Sequence, residues 1–216
     1  MGVQSCNSDL RVLYPGCHRH LTASLYFPLV VYVDCDAKVA DTFSSDTQAV
    51  DYYVQESKVC DRDHRHDFKF FCSDYTTLDS IVEIASPKNP FDLLLSMSAG
   101  QVQGSCSKYV KRGGHLLVSD AHADARAAFV ARDVDGKKVW KLIAVYNSDR
   151  KVFDDSAPTV KKCFLVEPRK GKGHSEESKP SLITPEQVEE SIKVGSVSKR
   201  SFKMAFEPMF YLFQKL

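Results

Sequence analysis

Short apolar runs broken by turn signals fill the first two thirds of the chain. Residues 11–15 (RVLYP) are apolar and stop at Pro15-Gly16, which predicts a short strand ending in a turn. Residues 20–27 (HLTASLYF) have room for about two helical turns. Residues 29–33 (LVVYV) are β-branched without polar alternation, the pattern of a parallel strand buried on both faces. Val39, Phe43, Val50, Tyr53 and Val54 recur at helical spacing and predict helix through much of 37–58. A charged loop at 60–67 precedes a third strand at 68–72 (FKFFC), closed by Ser73-Asp74-Tyr75.

The alternation continues. Residues 77–86 predict a helix stopped by Pro87 and Pro90, and 91–98 a fourth strand. Residues 101–111 predict a helix ended by Gly113-Gly114, and 115–120 a fifth strand. Strand, helix, strand in this order is the signature of an open, mostly parallel α/β sheet with right-handed crossovers and helices on both faces.

Beyond residue 120 the pattern loosens. A helix is expected at 122–131 and a strand at 137–147, after the Asp135-Gly136 turn. Residues 166–181 are polar, with Pro, Gly and charge, and read as an exposed flexible loop. Thr184-Pro185-Glu186-Gln187 reads as a helix start: Thr caps, Pro takes the first turn, and Gln187 completes a capping box. Residues 208–214 (PMFYLFQ) predict a final strand.

Composition narrows the class. A chain of 216 residues that is 43% hydrophobic can bury one sizeable core. A net charge of +1 gives no support for a strongly basic nucleic-acid binder. Seven cysteines, without a CxxC and several inside apolar runs, read as reduced thiols of a cytoplasmic protein. No stretch is long and apolar enough to suggest a membrane span, and residues 1–10 lack the apolar core of a signal peptide and read as a loose, flexible start. Cys6 stands where a myristoylation signal would carry Ser or Thr.

Several chemistries lack their motifs. There is no Gly-x-Ser-x-Gly elbow, no phosphate-binding Gly-x-x-x-x-Gly-Lys-Ser/Thr and no Gly-x-Gly-x-x-Gly. His18-x-His20 and His64-x-His66, the second flanked by Cys60, Asp61, Asp63 and Asp67, lack the helical spacing of a zinc protease and read as solvated loops, so no metal is expected. The basic run of Lys161, Lys162, Arg169, Lys170 and Lys172 is diluted by Glu167, Glu176 and Glu177 and also reads as solvated.

The order of these motifs resembles the class I S-adenosylmethionine-dependent methyltransferase family, over residues 11–147 and the last strand. "VLYPG" is similar to that family's first strand and glycine loop, "VVYVDCD" to its second strand and ribose-binding acid, and "FFCSDY" to its third strand and adenine-side acid. "PFDLLLSMSAG" resembles the fourth strand and its substrate-side loop, and "YVKRGGHLLVSD" the helix end and fifth strand. The resemblance implies a seven-stranded Rossmann-like sheet whose last strand runs antiparallel between the fifth and sixth. It also implies one domain over 11–216, with a polar loop and helix inserted at about 155–205.

It further implies that S-adenosylmethionine is the cofactor, held by Tyr14, Pro15, Gly16, Cys17, His18, Asp34, Cys35, Asp74, Tyr75 and Ser96. Asp34 is preferred to Asp36 for the ribose because it directly follows the apolar run. Asp34, and more so Asp36, also suits a cap of the following helix, as do Asp74, Asp120 and His122. Asp120 and His122, after the fifth strand, are candidates for acid-base work on an acceptor of unspecified identity. Cys17, His18, Arg19 and His20 stand where the family carries glycines. The same fold with a decayed loop would serve as a partner-binding scaffold, and a different nucleotide is the third reading.

Overall fold

The apolar runs of the first half fold into parallel strands. β1 (Arg11–Pro15) pairs with β2 (Leu29–Asp34) on one side and β4 (Phe91–Ser96) on the other. β2 in turn pairs with β3 (Asp67–Cys72), again in parallel. Val30, Val31, Tyr32 and Val33 are all buried, as the unalternating run requires. The computed structural model describes residues 10–45, 53, 67–169, 179–195 and 199–216. Cys60, Asp61, Asp63, His64, His66, Lys170, Lys172, Glu176 and Glu177, and most of the helix expected beyond residue 45, lie outside the described residues.

Two units divide the chain, Met1–His115 and Leu116–Leu216. In the first, the stretch expected to make two helical turns at 20–27 is a single 3-10 turn, Thr22–Leu25. The Tyr32 hydroxyl fixes it, accepting from the Ser24 amide at 3.1 Å and donating to the Leu21 carbonyl at 3.1 Å. α1 (Ala37–Ser45) starts at Asp36, whose carboxylate accepts from the Lys38 amide at 2.8 Å. Val39 and Phe43 share its buried face, and Phe43 stacks on Phe70 at 4.3 Å between ring centroids.

The helix expected at 77–86 is broken in two. A 3-10 segment (Tyr75–Ser80) and a one-turn α2 (Val82–Ala85) flank an extended Ile81 at φ −96°, ψ 103°. The Thr77 hydroxyl donates to the Asp74 carbonyl at 3.0 Å and the Ser80 hydroxyl to the Thr77 carbonyl at 3.1 Å. Such side-chain bonds give the backbone a tight-turn alternative to the α-helix.

The helix expected at 101–111 is also shorter. α3 (Val102–Cys106) and a 3-10 turn (Ser107–Tyr109) lead directly into β5 (Val110–Val118). Gly113 and Gly114 therefore lie inside a strand and do not end a helix. A Cβ at Gly114 would stand 2.9 Å from the Lys111 carbonyl oxygen and 3.0 Å from that of Asp92, so glycine is required by close backbone approach.

In the second unit, α4 (Asp124–Val130) precedes β6 (Trp140–Asn147), which turns back as β7 (Val152–Asp154). The Asn147 side chain makes that turn by accepting from the Asp149 and Arg150 amides at 3.1 and 3.0 Å. After α5 (Ala157–Lys162), β8 (Leu165–Pro168), β9 (Ser181–Leu182) and β10 (Phe202–Met204) form a separate antiparallel sheet in the order β10-β8-β9. The expectation of a flexible loop from 166 onward is thus corrected at Val166–Pro168: Val166 is buried, and Lys203 pairs with Glu167 at 2.8 Å.

α6 (Pro185–Val194) has the capping box expected at its start, with the Thr184 amide donating to Gln187 Oε1 at 2.9 Å. β11 (Tyr211–Lys215) runs antiparallel to β6. The large sheet has eight strands in the order β3-β2-β1-β4-β5-β11-β6-β7. The last strand thus follows β5 and precedes β6, as the resemblance implies, and β7 is the strand beyond the expected seven.

Candidate functional site

Loops at the carboxyl ends of parallel strands are where open α/β sheets bind ligands. In the first unit, the loops after β1, β3 and β4 adjoin one another there. Gly16 takes a left-handed φ of +61°, and a Cβ on it would stand 2.1 Å from the Cβ of Ala99 in the loop after β4. Gly100, in that same loop at φ +110°, leaves room for the Tyr75 hydroxyl, which a Cβ would meet at 2.7 Å. Gly16, Tyr75 and the residues following Ser96 are therefore brought together. Ser96 is buried at the end of β4.

The first loop is folded back onto the end of β2. The amides of Gly16 and Cys17 both donate to the Val33 carbonyl, at 2.7 and 3.3 Å, and His20 donates to the Cys17 carbonyl at 3.0 Å. The His18 amide donates to Asp34 Oδ2 at 2.7 Å, and the Asp36 amide to Asp34 Oδ1 at 3.0 Å. His18 reaches this bond through a φ of 48°, an uncommon conformation for a residue with a side chain.

Side chains around the loop are arranged in layers. Tyr14 and Cys17 are buried, whereas His18, Arg19 and His20 are exposed. The Tyr14 hydroxyl lies 2.8 Å from His20 Nδ1, and the two rings meet edge to face. Burial pushes the Cys17 thiol up to about 12, and the Asp34 charge adds to the push. Cys17 is a neutral packing group, while Pro15 is buried and Cys35 is exposed.

Asp74 caps the 3-10 segment that follows it. Its Oδ1 accepts from the Thr76 amide and hydroxyl, both at 2.8 Å, and these bonds hold its carboxyl below the ordinary value.

Asp120 and His122 belong to the second unit. Asp120 Oδ2 pairs with Arg126 Nε at 2.6 Å and Oδ1 accepts from the Arg126 amide at 3.1 Å. Arg126 is 2% exposed and also donates to Ser191 Oγ at 2.8 Å, tying α4 to α6. Burial raises the Asp120 carboxyl above its usual range and the guanidinium opposes that shift. His122 is exposed.

Sequence reasoning did not anticipate Ala99 against Gly16, Arg126 on Asp120, or a role for Arg19, an exposed cation one residue beyond the amide that donates to Asp34. The first is a contact between residues 83 apart along the chain, and a turn composition does not reveal it; the second joins residues six apart across the start of α4. Among the described residues no group of three or more His, Cys, Asp or Glu side chains is placed to hold a metal ion. No helix among them is long and apolar enough to cross a membrane.

No protein-family model matches the chain, and no curated protein matches it by sequence. Among solved structures, the chain is similar to an rRNA methylase from Streptococcus thermophilus, with a TM-score of 0.44 and 8% identity over 96% of this chain and 88% of that one. It is also similar to the O-methyltransferase TomG from Streptomyces achromogenes, solved with SAM, with a TM-score of 0.39 and 12% identity over 67% and 69% of the two chains. At these scores neither carries an inference about what this chain binds or does. By its own strand order, with an antiparallel last strand between β5 and β6, the chain has the Rossmann-like fold of class I methyltransferases.

Proposed function

We propose that the chain binds S-adenosylmethionine and transfers its methyl group to an acceptor, with residues 11–216 working as one domain and about 155–205 as its insertion. The observation that carries this reading is Asp34, an acid at the carboxyl end of β2 hydrogen-bonded to the loop after β1.

The residues fit one end of the cofactor better than the other. A carboxylate offers about four acceptor positions. Two on Asp34 are used by backbone amides, which leaves one on each oxygen for a ribose diol. Asp74 keeps Oδ2 for the adenine side. The loop amides of Gly16, Cys17, His18 and His20 are spent on β2 and on the loop itself, so they do not cradle the methionine carboxylate. We assign that task to the side chain of Arg19, a fixed cation in the same loop.

When bound, S-adenosylmethionine supplies an electrophilic methyl group, and the protein contributes alignment. Tyr14, Pro15 and Cys17 form the buried support of the loop, Cys35 flanks the ribose acid, and Tyr75 and Ser96 border the loop after β4. The exposed His122 is the candidate base for an acceptor that must lose a proton. Asp120 acts as a positioning residue through Arg126. The acceptor classes are small molecules and macromolecules.

The test compares S-adenosylhomocysteine with its 3′-deoxyribose analogue. Loss of a hydrogen bond to a charged group costs about 1.5–3 kcal/mol, so the analogue should bind the wild type roughly ten- to a hundredfold more weakly. Asp34→Ala should bind both equally. Equal discrimination by wild type and Asp34→Ala would remove Asp34 from the ribose.

A further inference from the structure

A cavity lies entirely within the second unit and is independent of the methyl-transfer reading. It encloses about 560 Å³ at the amino end of β6, between Phe129, Trp140, Leu142 and Leu165. That end of β6 is opposite to Asn147, where the strand's carboxyl end makes the turn to β7. Small-molecule sites span roughly 300–1,000 Å³ and are mostly apolar with a few placed polar groups. This one has that size and composition.

The charged side chains lining it are of one sign. Lys138, Lys141 and Lys161 border the cavity, and no Asp or Glu side chain does. The Lys138 ammonium sits 5.2 Å from the centroid of the Phe129 ring, and none of the three makes an ion pair with a described residue. Elsewhere Lys108, Lys111 and Lys203 each pair with an acid. Leu182 and Leu216, 55% and 46% exposed, also line the cavity and leave apolar surface in water that an occupant would cover.

We propose that this cavity binds an apolar molecule ending in a carboxylate, a medium-chain fatty acid being the simplest case. The aliphatic body covers Trp140, Leu142 and Leu182, and the carboxylate meets the three lysines. A cationic amphiphile would be repelled by the same lysines, and a neutral one would leave them without a counter-charge.

Lysine stems also cover apolar surface with no ligand in view, and the experiment separates the two cases. Trp140 is the only tryptophan in the chain, so its emission reports on the cavity wall. The protein is titrated with laurate, dodecanol and dodecyltrimethylammonium, each below its self-association concentration. Laurate should give a saturable change in emission and bind tighter than the other two. Replacing Lys138, Lys141 and Lys161 by Gln together should weaken laurate about tenfold, since each solvent-exposed ion pair contributes little. Dodecanol should be unaffected by that change, and Asp34→Ala should leave the laurate response intact. No saturable response to laurate, or equal responses to all three amphiphiles, would overturn the proposal.

Discussion

The carboxylate of Asp34 accepts a hydrogen bond from the amide of His18 at 2.7 Å, so the candidate ribose acid also holds the loop that precedes it. Removing the acid should therefore affect stability as well as binding. Asp34→Ala leaves the His18 amide to find another acceptor and should cost about 1–3 kcal/mol in urea unfolding. Asp34→Asn keeps one acceptor oxygen and should cost less.

Gly16 and Ala99 form a second coupled pair. Gly16→Ala places a Cβ 2.1 Å from that of Ala99 at a φ of +61°, and should destabilise by more than the roughly 1–2 kcal/mol of a left-handed alanine alone. Ala99→Gly should recover the steric part and not the conformational part. A double-mutant cycle with a coupling near zero would contradict the contact.

Arg126 and Asp120 predict a contrast in the second unit. Asp120→Ala strips the partner from a guanidinium that is 2% exposed and should cost about 3–5 kcal/mol. His122→Ala, at an exposed position, should stay within about 0.5 kcal/mol of wild type. Chemical denaturation of the two variants reads the difference directly.

Much of the fold was legible because burial on both faces leaves a plain mark. β1 and β2 follow from their apolar runs, and α6 from Thr184 and Gln187, whose capping chemistry is local. The helices at 77–86 and 101–111 were over-extended because Thr77 and Ser80 bond to their own backbone and because β5 begins at Val110. β8, β9 and β10 were missed since strands of two to four residues carry too little alternation to be read. At the site, Asp34 was legible from its place after a strand. The inward turn of the loop amides was not, because it depends on the Val33 carbonyl 16 or 17 residues away.

Acid should destabilise the protein with a definite sign. Bonds from Ser156 and Thr159 hold Asp154 below its ordinary value, and bonds from Thr76 do the same for Asp74. A carboxylate lowered in the folded state contributes stability above its unfolded value, near about 3.9, and loses it as pH falls through the folded one. The thermal midpoint should drop below about pH 4. The drop should be shallower in an Asp74→Asn/Asp154→Asn variant.

The most direct test of the central claim is calorimetric titration of the purified chain with S-adenosylmethionine and S-adenosylhomocysteine. One-to-one binding of both ligands, weakened or lost in Asp34→Ala and in Arg19→Ala, is the predicted result. Absence of heat from both ligands at millimolar concentration would contradict the account and leave the chain with a methyltransferase's fold and no cofactor.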